Sequence, residues 1–141
     1  MKDVSVAEEH ALEGRSVEGI SPERWEELLA DKVGEHCKVV IPSSVVDIEN
    51  HIKAYTVEGK PVPLPGKSVA GSYDAIKGIF KGVVPEKGQH LVCLTPINIY
   101  GARVFNVLAF FDIELLTRAE SGGLIIDFDI EENYRNRQPA N

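Results

Sequence analysis

Two long runs in which apolar and polar residues alternate dominate the C-terminal third of the chain. The first, VFNVLAFFDIELL, covers residues 104–116. Side chains along a strand point alternately to its two faces, so this run predicts a strand with one continuous apolar face. That face consists of Phe105, Val107, Ala109, Phe111, Ile113 and Leu115. The opposite face, which we call the mixed face, combines polar and apolar residues and suits a surface that contacts both apolar groups and water. It consists of Asn106, Leu108, Phe110, Asp112, Glu114 and Leu116.

The second run, LIIDFDIEENY at residues 124–134, divides in the same way. Its apolar face holds Leu124, Ile126, Phe128 and Ile130, and its acidic face holds Asp127, Asp129, Glu131 and Asn133. Between the runs lies RAESGG, in which Gly122 and Gly123 supply the permissive backbone of a chain reversal. We therefore predict a long antiparallel hairpin at the centre of the fold.

A helix is predicted to begin at Ser21. Ser21 suits the cap position and Pro22 the first helical position, and Gly34 is a natural end. Between them the apolar residues recur at helical spacing, at Trp25, Leu28, Leu29 and Val33. This predicts an amphipathic helix of about three turns. Residues 1–20 fit either a short helix or an arm.

The segment after this helix predicts strands. Lys38–Ile41 is interpreted as a short strand that ends at Pro42, because proline cannot donate to a sheet ladder. Residues 46–55 alternate and favour a strand, although helical spacing also fits part of this run. One predicted strand face carries Asp47, Glu49, His51, Lys53 and Tyr55. The sequence Glu58-Gly59-Lys60 predicts a hairpin turn, and the prolines that follow indicate an edge strand or a surface loop: Pro61, Pro63 and Pro65.

Residues 72–84 again show helical spacing and predict a second helix, which Gly78 and Gly82 weaken by about 1 kcal/mol each relative to alanine. After the turn PEKGQ, residues 90–98 predict a strand in which Pro96 marks a bulge or an edge position. Helices followed by several antiparallel strands are typical of the α+β class. We therefore predict a curved antiparallel sheet wrapped around helices in a single domain.

The length and the hydrophobic content set the domain organisation. A chain of 141 residues with 43% hydrophobic content has the size of one domain and can bury a core. We predict an arm or short helix over residues 1–20, the α+β domain over residues 21–134, and a polar tail over residues 135–141.

The charge and the hydropathy of the chain limit the classes of partner that it can bind. The formal net charge of −7, with scattered basic residues, argues against a basic patch for nucleic acid or an anionic membrane surface. No apolar run approaches the roughly 20 residues of a membrane span, and the first residues lack the apolar stretch of a signal peptide. We expect a cytoplasmic protein without nucleic-acid or membrane partners. Cys37 and Cys93 form no CxxC or Cys/His cluster, so we expect two reduced, buried thiols.

Three stretches give the chain a resemblance to a known family. SPERWEELLADKVGEHCKVVI, the segment GSYDAI followed by Ile79-Phe80, and the two closing runs resemble the nuclear transport factor 2-like superfamily. That superfamily includes ketosteroid isomerases, limonene epoxide hydrolases and polyketide-cyclase-like proteins. The resemblance covers roughly residues 21–134. It implies a cone-like fold in which a bent sheet encloses an apolar chamber for a small hydrophobic ligand.

The family's catalytic residues do not carry over. Where the isomerases of this family have a general-base Asp before a Pro, this chain has Ile41. The second isomerase acid aligns with Asp129, which alternation places on the acidic face. The Arg-x-Asp pattern of the epoxide hydrolases aligns with Phe110-Phe111-Asp112, so its Arg is missing.

Three residues are nevertheless candidates for acid/base chemistry. Asp112 lies between large apolar residues, and partial desolvation there would raise its pKa toward neutral pH. His51 shares its predicted strand face with Asp47 and Tyr55, so His51 and Tyr55 are possible partners. The alternative for each is an ordinary solvated strand face.

No metal or cofactor is expected. Carboxylates at alternate positions of one strand, as in Asp127 and Asp129, are about 7 Å apart, too far to share a small cation without other ligands. The chain also lacks GxGxxG, a Walker A motif and a nucleophile elbow.

Two functions follow from these patterns. The first is a small-molecule-binding protein, whose catalytic form would be an isomerase, dehydratase or cyclase that uses acid/base chemistry on a hydrophobic substrate. The second is a non-catalytic interaction or assembly module that uses the outer sheet face. An enclosed cavity of about 300 Å³ or more, lined by at least two titratable side chains, favours the enzyme, and a filled core favours the module. A homodimer is expected, centred on residues 92–116.

Overall fold

The computed structural model of the protein describes residues 4–14, 19–40, 52–63, 75–99, 102–117 and 123–128. In these residues two helices, α1 (Val6–Leu12) and α2 (Pro22–Leu29), precede the strands. The strands are β1 (His36–Val40), β2 (Ile52–Thr56), β3 (Pro61–Val62), β4 (Ala75–Glu86), β5 (Gln89–Ile99), β6 (Ala102–Arg103), β7 (Val107–Asp112) and β8 (Ile125–Asp127). Short 3-10 helices cover Ala30–Lys32 and Ile113–Thr117.

All eight strands belong to one antiparallel sheet. Its order is β3-β2-β7-β5-β4-β1-β8, and β6 pairs with β5 beside this path. The sheet is curved, and in the described residues its two end strands do not meet. The predicted α+β class with a curved antiparallel sheet is therefore confirmed.

The longest pairing is the hairpin of β4 and β5. Lys87 and Gly88 form its two-residue turn with φ of 49° and 81°, the left-handed backbone that suits a tight hairpin. Two register shifts, at Lys77/Gly78 and at Phe80/Gly82, mark bulges in the pairing. Because Gly78 pairs with Pro96, the bulge predicted at this proline is confirmed. Bulges bend the bulged strand and increase its twist, which accounts for the curvature of the sheet here.

The helix predicted over residues 72–84 is wrong, because Ala75–Glu86 is a strand. Ile76 and Phe80 are both buried and lie four residues apart, a spacing that fits a helix and also fits alternate positions of a strand. Gly78, between them, disfavours a helix and permits the close approach of β5. Long-range pairing therefore decided the conformation of this segment.

The predicted central hairpin of residues 104–134 is also wrong. β7 pairs with β2 and β5, whereas β8 pairs with β1 at the far end of the sheet. The strand ends early because the Asp112 carboxylate accepts the backbone N–H of Glu114 at 3.0 Å, which starts the 3-10 helix Ile113–Thr117. Leu116, expected on the mixed face, is buried as a result.

Phe105 was expected in the core but is 70% exposed. Asn106, the next residue, has φ of 55°, so the backbone leaves the extended conformation just before β7 begins. The alternation of β7 therefore does not reach Phe105.

Other residues predicted on the apolar faces of these runs are confirmed as buried, whereas Leu115 is only half-buried and Ile130 lies outside the described residues. Val107, Phe111, Ile113, Ile126 and Phe128 are all buried.

One face of the sheet packs against the helices, and we call it the helix face. Ser21 accepts the N–H of Arg24 as the cap of α2, and Pro22 occupies the first turn, as predicted. The helix is shorter than expected, and Val33, which lies beyond it, is 56% exposed. The core cluster on this face is continuous and includes Trp25, Leu28, Leu29, Cys37, Val39, Ile52, Ile76, Phe80, Val92, Leu94, Ala109, Phe111, Ile113 and Ile126.

The first 20 residues contain a helix that is held to the domain. Glu8 belongs to a capping box with Ser5 and also binds Arg24 of α2 at 2.6 and 2.9 Å. The Arg24 guanidinium and the Ser5 N–H lower the pKa of Glu8 to about 2, because both stabilise its charged form. The end of α1 lies against the outer edge of β8, where Phe128 donates its N–H to Leu12. Neither helix in the described residues is long and apolar enough to cross a membrane.

Candidate functional site

The face of the sheet opposite the core carries a cleft. We call this the open face and define it by Lys53 and Tyr55 of β2, Leu91 and Cys93 of β5, and Leu108, Phe110 and Asp112 of β7. These residues alternate with core residues in each strand: Ile52 and Ala54 in β2, and Ala109 and Phe111 in β7, are buried on the helix face. The faces predicted for β2 and β7 are therefore confirmed.

The cleft has a volume of about 640 Å³. It is lined by Lys53, Tyr55, Thr56, Val57, Gly59, Glu86, Lys87, Gln89, Leu91, Leu108, Phe110, Phe111 and Asp112. The β2–β3 turn and the β4–β5 turn lie at opposite ends of β7 but border the same cleft. The sheet therefore bends around the cleft, whose exposed lining residues leave it open to solvent along one side.

The floor of the cleft is apolar and aromatic. Tyr55 and Phe110 form an edge-to-face pair with ring centroids 6.0 Å apart and an angle of 62°. Leu108 pairs directly with Tyr55, and Leu91 pairs directly with Asp112. Leu91, Leu108 and Phe110 are only half-buried, although equivalent side chains on the helix face are fully covered. An aromatic pair with half-exposed leucines beside it suits an apolar ligand.

Charged side chains border this floor. Lys53 lies directly across from Phe110 in the β2–β7 register. Glu86 and Lys87 stand at the β4–β5 turn, and Asp112 ends β7. The border thus combines two cationic and two anionic groups, with Lys53 closest in register to the aromatic pair.

Asp112 has a structural role as well as a place in the cleft. Its Oδ1 accepts the Glu114 N–H at 3.0 Å and so caps the 3-10 helix that follows. The carboxylate is half-buried and lines the cleft beside Leu91. Asp112 therefore borders the cleft while it caps the helix.

Two of the three residues predicted from sequence meet in this cleft. Asp112 and Tyr55 both line it, whereas His51 lies outside the described residues. Lys53 and Phe110 were not singled out, although the alternation that placed Tyr55 and Asp112 on these faces also placed them there. Leu91 carried no such signal, because its place in the cleft depends on the pairing of β5 with β7.

The two cysteines lie on different faces. Cys37 is in the core, and burial, with the charges of Asp127 and Glu35, raises the pKa of its thiol to about 12. Burial also raises the pKa of Cys93, against the opposing effect of Lys81. Both thiols are buried and unbridged, as predicted. Neither cysteine lines the cleft.

The described part of the chain contains no group of three or more His, Cys, Asp or Glu side chains with the geometry of a metal site. Comparisons with protein-family models, with curated proteins and with solved structures found no match. Any functional argument therefore rests on the geometry of the cleft.

Proposed function

We propose that this protein binds a small hydrophobic molecule in the cleft on the open face of its sheet. The observation that carries the proposal is a cleft of about 640 Å³ with an aromatic and aliphatic floor. Ligand sites commonly have volumes of about 300–1,000 Å³ and combine apolar walls with a few polar groups. Strands β2, β7 and β5 supply the floor, so the surface is formed before a ligand arrives.

Acid/base catalysis in the same cleft is a second candidate. It is favoured by the common location of Asp112 and Tyr55, a carboxylate and a phenol, beside an apolar floor. A ligand there would meet a proton acceptor at the end of β7 and a hydrogen-bond donor on β2. The isomerase, dehydratase or cyclase predicted from sequence would use these two groups. The cleft exceeds 300 Å³ but is open, so catalysis would need the ligand itself to exclude water.

The first test concerns ligand binding. The uncharged fluorescent probe N-phenyl-1-naphthylamine is expected to bind the wild-type protein with an emission increase. Phe110→Asp should weaken this binding roughly tenfold or more, because it removes an aromatic contact and introduces a desolvated charge. Fluorescence titration of both proteins measures the ratio of dissociation constants.

Phe105→Asp is the matched control, since Phe105 is 70% exposed and does not line the cleft. It should retain wild-type probe binding, and a thermal melt of each variant should show that both remain folded. Equal binding by wild type and Phe110→Asp would contradict the proposal. If Phe110→Asp fails to fold, Phe110→Gln replaces it in the same comparison.

The homodimer predicted over residues 92–116 is also a proposal. Two exposed apolar residues in that range, Ile97 at 40% and Phe105 at 70%, lie outside the cleft. Val104, which precedes Phe105, donates its N–H to the Ile97 carbonyl at 3.1 Å, so Ile97 and Phe105 lie on neighbouring segments, and we take them together as the candidate patch. A dimer through this patch would leave the cleft accessible.

Sedimentation velocity at micromolar concentration is the test of this dimer. The wild type and Phe110→Asp should sediment as dimers, and Phe105→Asp should sediment as a monomer, because a buried charge opposes a symmetric contact. A monomeric wild type would exclude the dimer. It would also exclude the alternative function in which the protein assembles with copies of itself.

The cone-like wrapping and the resemblance to the nuclear transport factor 2-like superfamily remain predictions. A curved sheet with helices on one face is compatible with that family's fold. Here, however, core side chains fill the space between helices and sheet, and the cleft lies on the other face. The proposal of ligand binding therefore rests on the cleft and not on the family.

A further inference from the structure

We propose that the ligand of this cleft is a single-chain lipid whose unbranched chain lies along β7, with its tail at Val57 and its polar end at the β4–β5 turn. This inference rests on the proposed function and specifies its ligand class. Three observations carry it: the length of the apolar floor, the different polarity of the two ends of the cleft, and the balance of its charges.

The apolar residues of the cleft floor follow the direction of β7. Leu108 and Phe110 are alternate residues of that strand and point to the open face. Tyr55 pairs with Leu108, and its ring contacts Phe110. Leu91 is a diagonal neighbour of Phe110, because Phe110 pairs with Cys93, two residues further along β5. These side chains therefore form an apolar path that runs from β2 across β7 to β5.

This apolar path is elongated. Val57 lines one end, one residue beyond the Thr56–Val107 pair, and Leu91 lines the other end, where it pairs with Asp112. The two ends are thus about six residues apart along β7, which is roughly 20 Å for an extended strand and less across a curved one. Because C–C bonds are about 1.5 Å long, an extended alkyl chain advances about 1.25 Å per carbon, so a chain of about 14 to 16 carbons follows this path. A compact ring system would contact only part of it.

The two ends of the cleft differ in polarity. Val57, at the β2–β3 turn, is 66% exposed, so an apolar side chain faces solvent at this end. Glu58 and Lys60 belong to the same turn, but neither lines the cleft. At the opposite end, the lining residues of the β4–β5 turn are all polar: Glu86, Lys87 and Gln89. An amphiphile matches both ends when its tail covers Val57 and its head group lies at the β4–β5 turn.

The charged groups that line the cleft balance one another. Lys53 and Asp112 are diagonal neighbours on the open face in the β2–β7 register. Glu86 and Lys87 are adjacent at the β4–β5 turn. Each pair combines one cation with one anion, so the cleft presents no excess of either charge to a ligand. A head group without net charge therefore fits this border, and the affinity comes from the chain.

The test measures how affinity depends on chain length. Lysophosphatidylcholines carry one acyl chain and a head group without net charge. Equilibrium dialysis below the critical micelle concentration of each lipid measures the dissociation constants for chains of eight, ten, twelve and fourteen carbons. A fully buried CH₂ group raises affinity about fourfold, so a cleft with one open side should give roughly twofold per carbon. The fourteen-carbon lipid should then bind roughly fiftyfold more tightly than the eight-carbon lipid.

Val57→Asp tests the direction of the chain. It places a charge at the tail end of the path and should weaken the fourteen-carbon lipid about tenfold. The eight-carbon lipid should be nearly unaffected, because its chain ends before Val57. Val6→Asp is the matched control, since Val6 is 67% exposed and lies on α1, away from the cleft lining. It should keep the wild-type affinities for both lipids.

The possible outcomes separate this inference from the proposed function. Binding of N-phenyl-1-naphthylamine together with equal affinities for the four lipids overturns the linear chain and leaves the apolar site in place. A wild-type dependence on chain length in Val57→Asp overturns the assigned path. Co-sedimentation of the protein with phosphatidylcholine vesicles would overturn the free lipid as the source of the chain and would assign a membrane surface instead. Absence of binding for the dye and for all four lipids overturns both the inference and the proposed function.

Discussion

Phe111→Ala is expected to lower the free energy of unfolding by about 3 to 5 kcal/mol, the cost of removing a buried phenyl ring and leaving a cavity. Phe111 is 1% exposed and lies in β7, near the middle of the sheet. It pairs with Ile52 on one side and Val92 on the other, both fully covered. Strands on both sides limit how far the neighbours can collapse into the space, so we expect a cost within this range.

Phe110→Ala is the matched comparison, because it makes the same substitution one position earlier, on the open face. Phe110 is half-buried and its ring contacts Tyr55, so its loss should cost roughly 1 to 2 kcal/mol. Urea denaturation of the two variants and the wild type measures both values. A larger loss for Phe110→Ala than for Phe111→Ala would mean that the two faces of β7 are reversed.

Local patterns predicted the faces of individual strands well. In β2, Ile52 and Ala54 are buried and Lys53 and Tyr55 face the cleft, as alternation requires. Turn chemistry was equally informative, since Glu58 and Gly59 turn the chain between β2 and β3. These features depend on residues within one strand or turn, which is the range over which a single sequence is informative.

Strand partners were not predictable in the same way. β7 and β8 are close in sequence and have similar patterns, which suggested a hairpin. In the sheet, however, three strands lie between them: β5, β4 and β1. The signal that β7 ends at Asp112 is the i to i+2 bond from Glu114, an interaction that many Asp residues in strands do not make. Pairing also depends on which edge of the sheet is available, and alternation carries no information about that edge.

Some residues of the candidate site could be predicted from the sequence, and others could not. Asp112 and Tyr55 were selected from their strand faces, and β2 and β7 are neighbours, so both line one cleft. The contributions of Leu91 and of the β4–β5 turn required the register of β5 against β7. Because residues 72–84 were predicted as a helix, that hairpin was absent from the prediction, and so was one wall of the cleft.

Gly78→Ala is expected to destabilise the protein by roughly 3 kcal/mol or more, or to prevent cooperative folding. A Cβ at position 78 would lie 2.5 Å from the Thr95 carbonyl oxygen and 2.7 Å from the Pro96 Cα. Both atoms belong to the backbone of the paired strand and cannot rotate away as a side chain would. Relief of the overlap therefore requires β4 and β5 to separate at the bulge, which disturbs the longest pairing of the sheet.

Gly88→Ala distinguishes this steric effect from the general cost of replacing a glycine. Gly88 has φ of 81°, and a Cβ at this position would have no atom within 4 Å beyond its chain neighbours. Alanine there should therefore lower the free energy of unfolding by only about 1 kcal/mol, the cost of the left-handed backbone. Urea denaturation should then order the three proteins as wild type, Gly88→Ala and Gly78→Ala, from most to least stable. A stability of Gly78→Ala equal to or above that of Gly88→Ala would show that β4 and β5 do not approach this closely. The register opposite Pro96, and with it the bend that brings the β4–β5 turn to the cleft, would then have to be different.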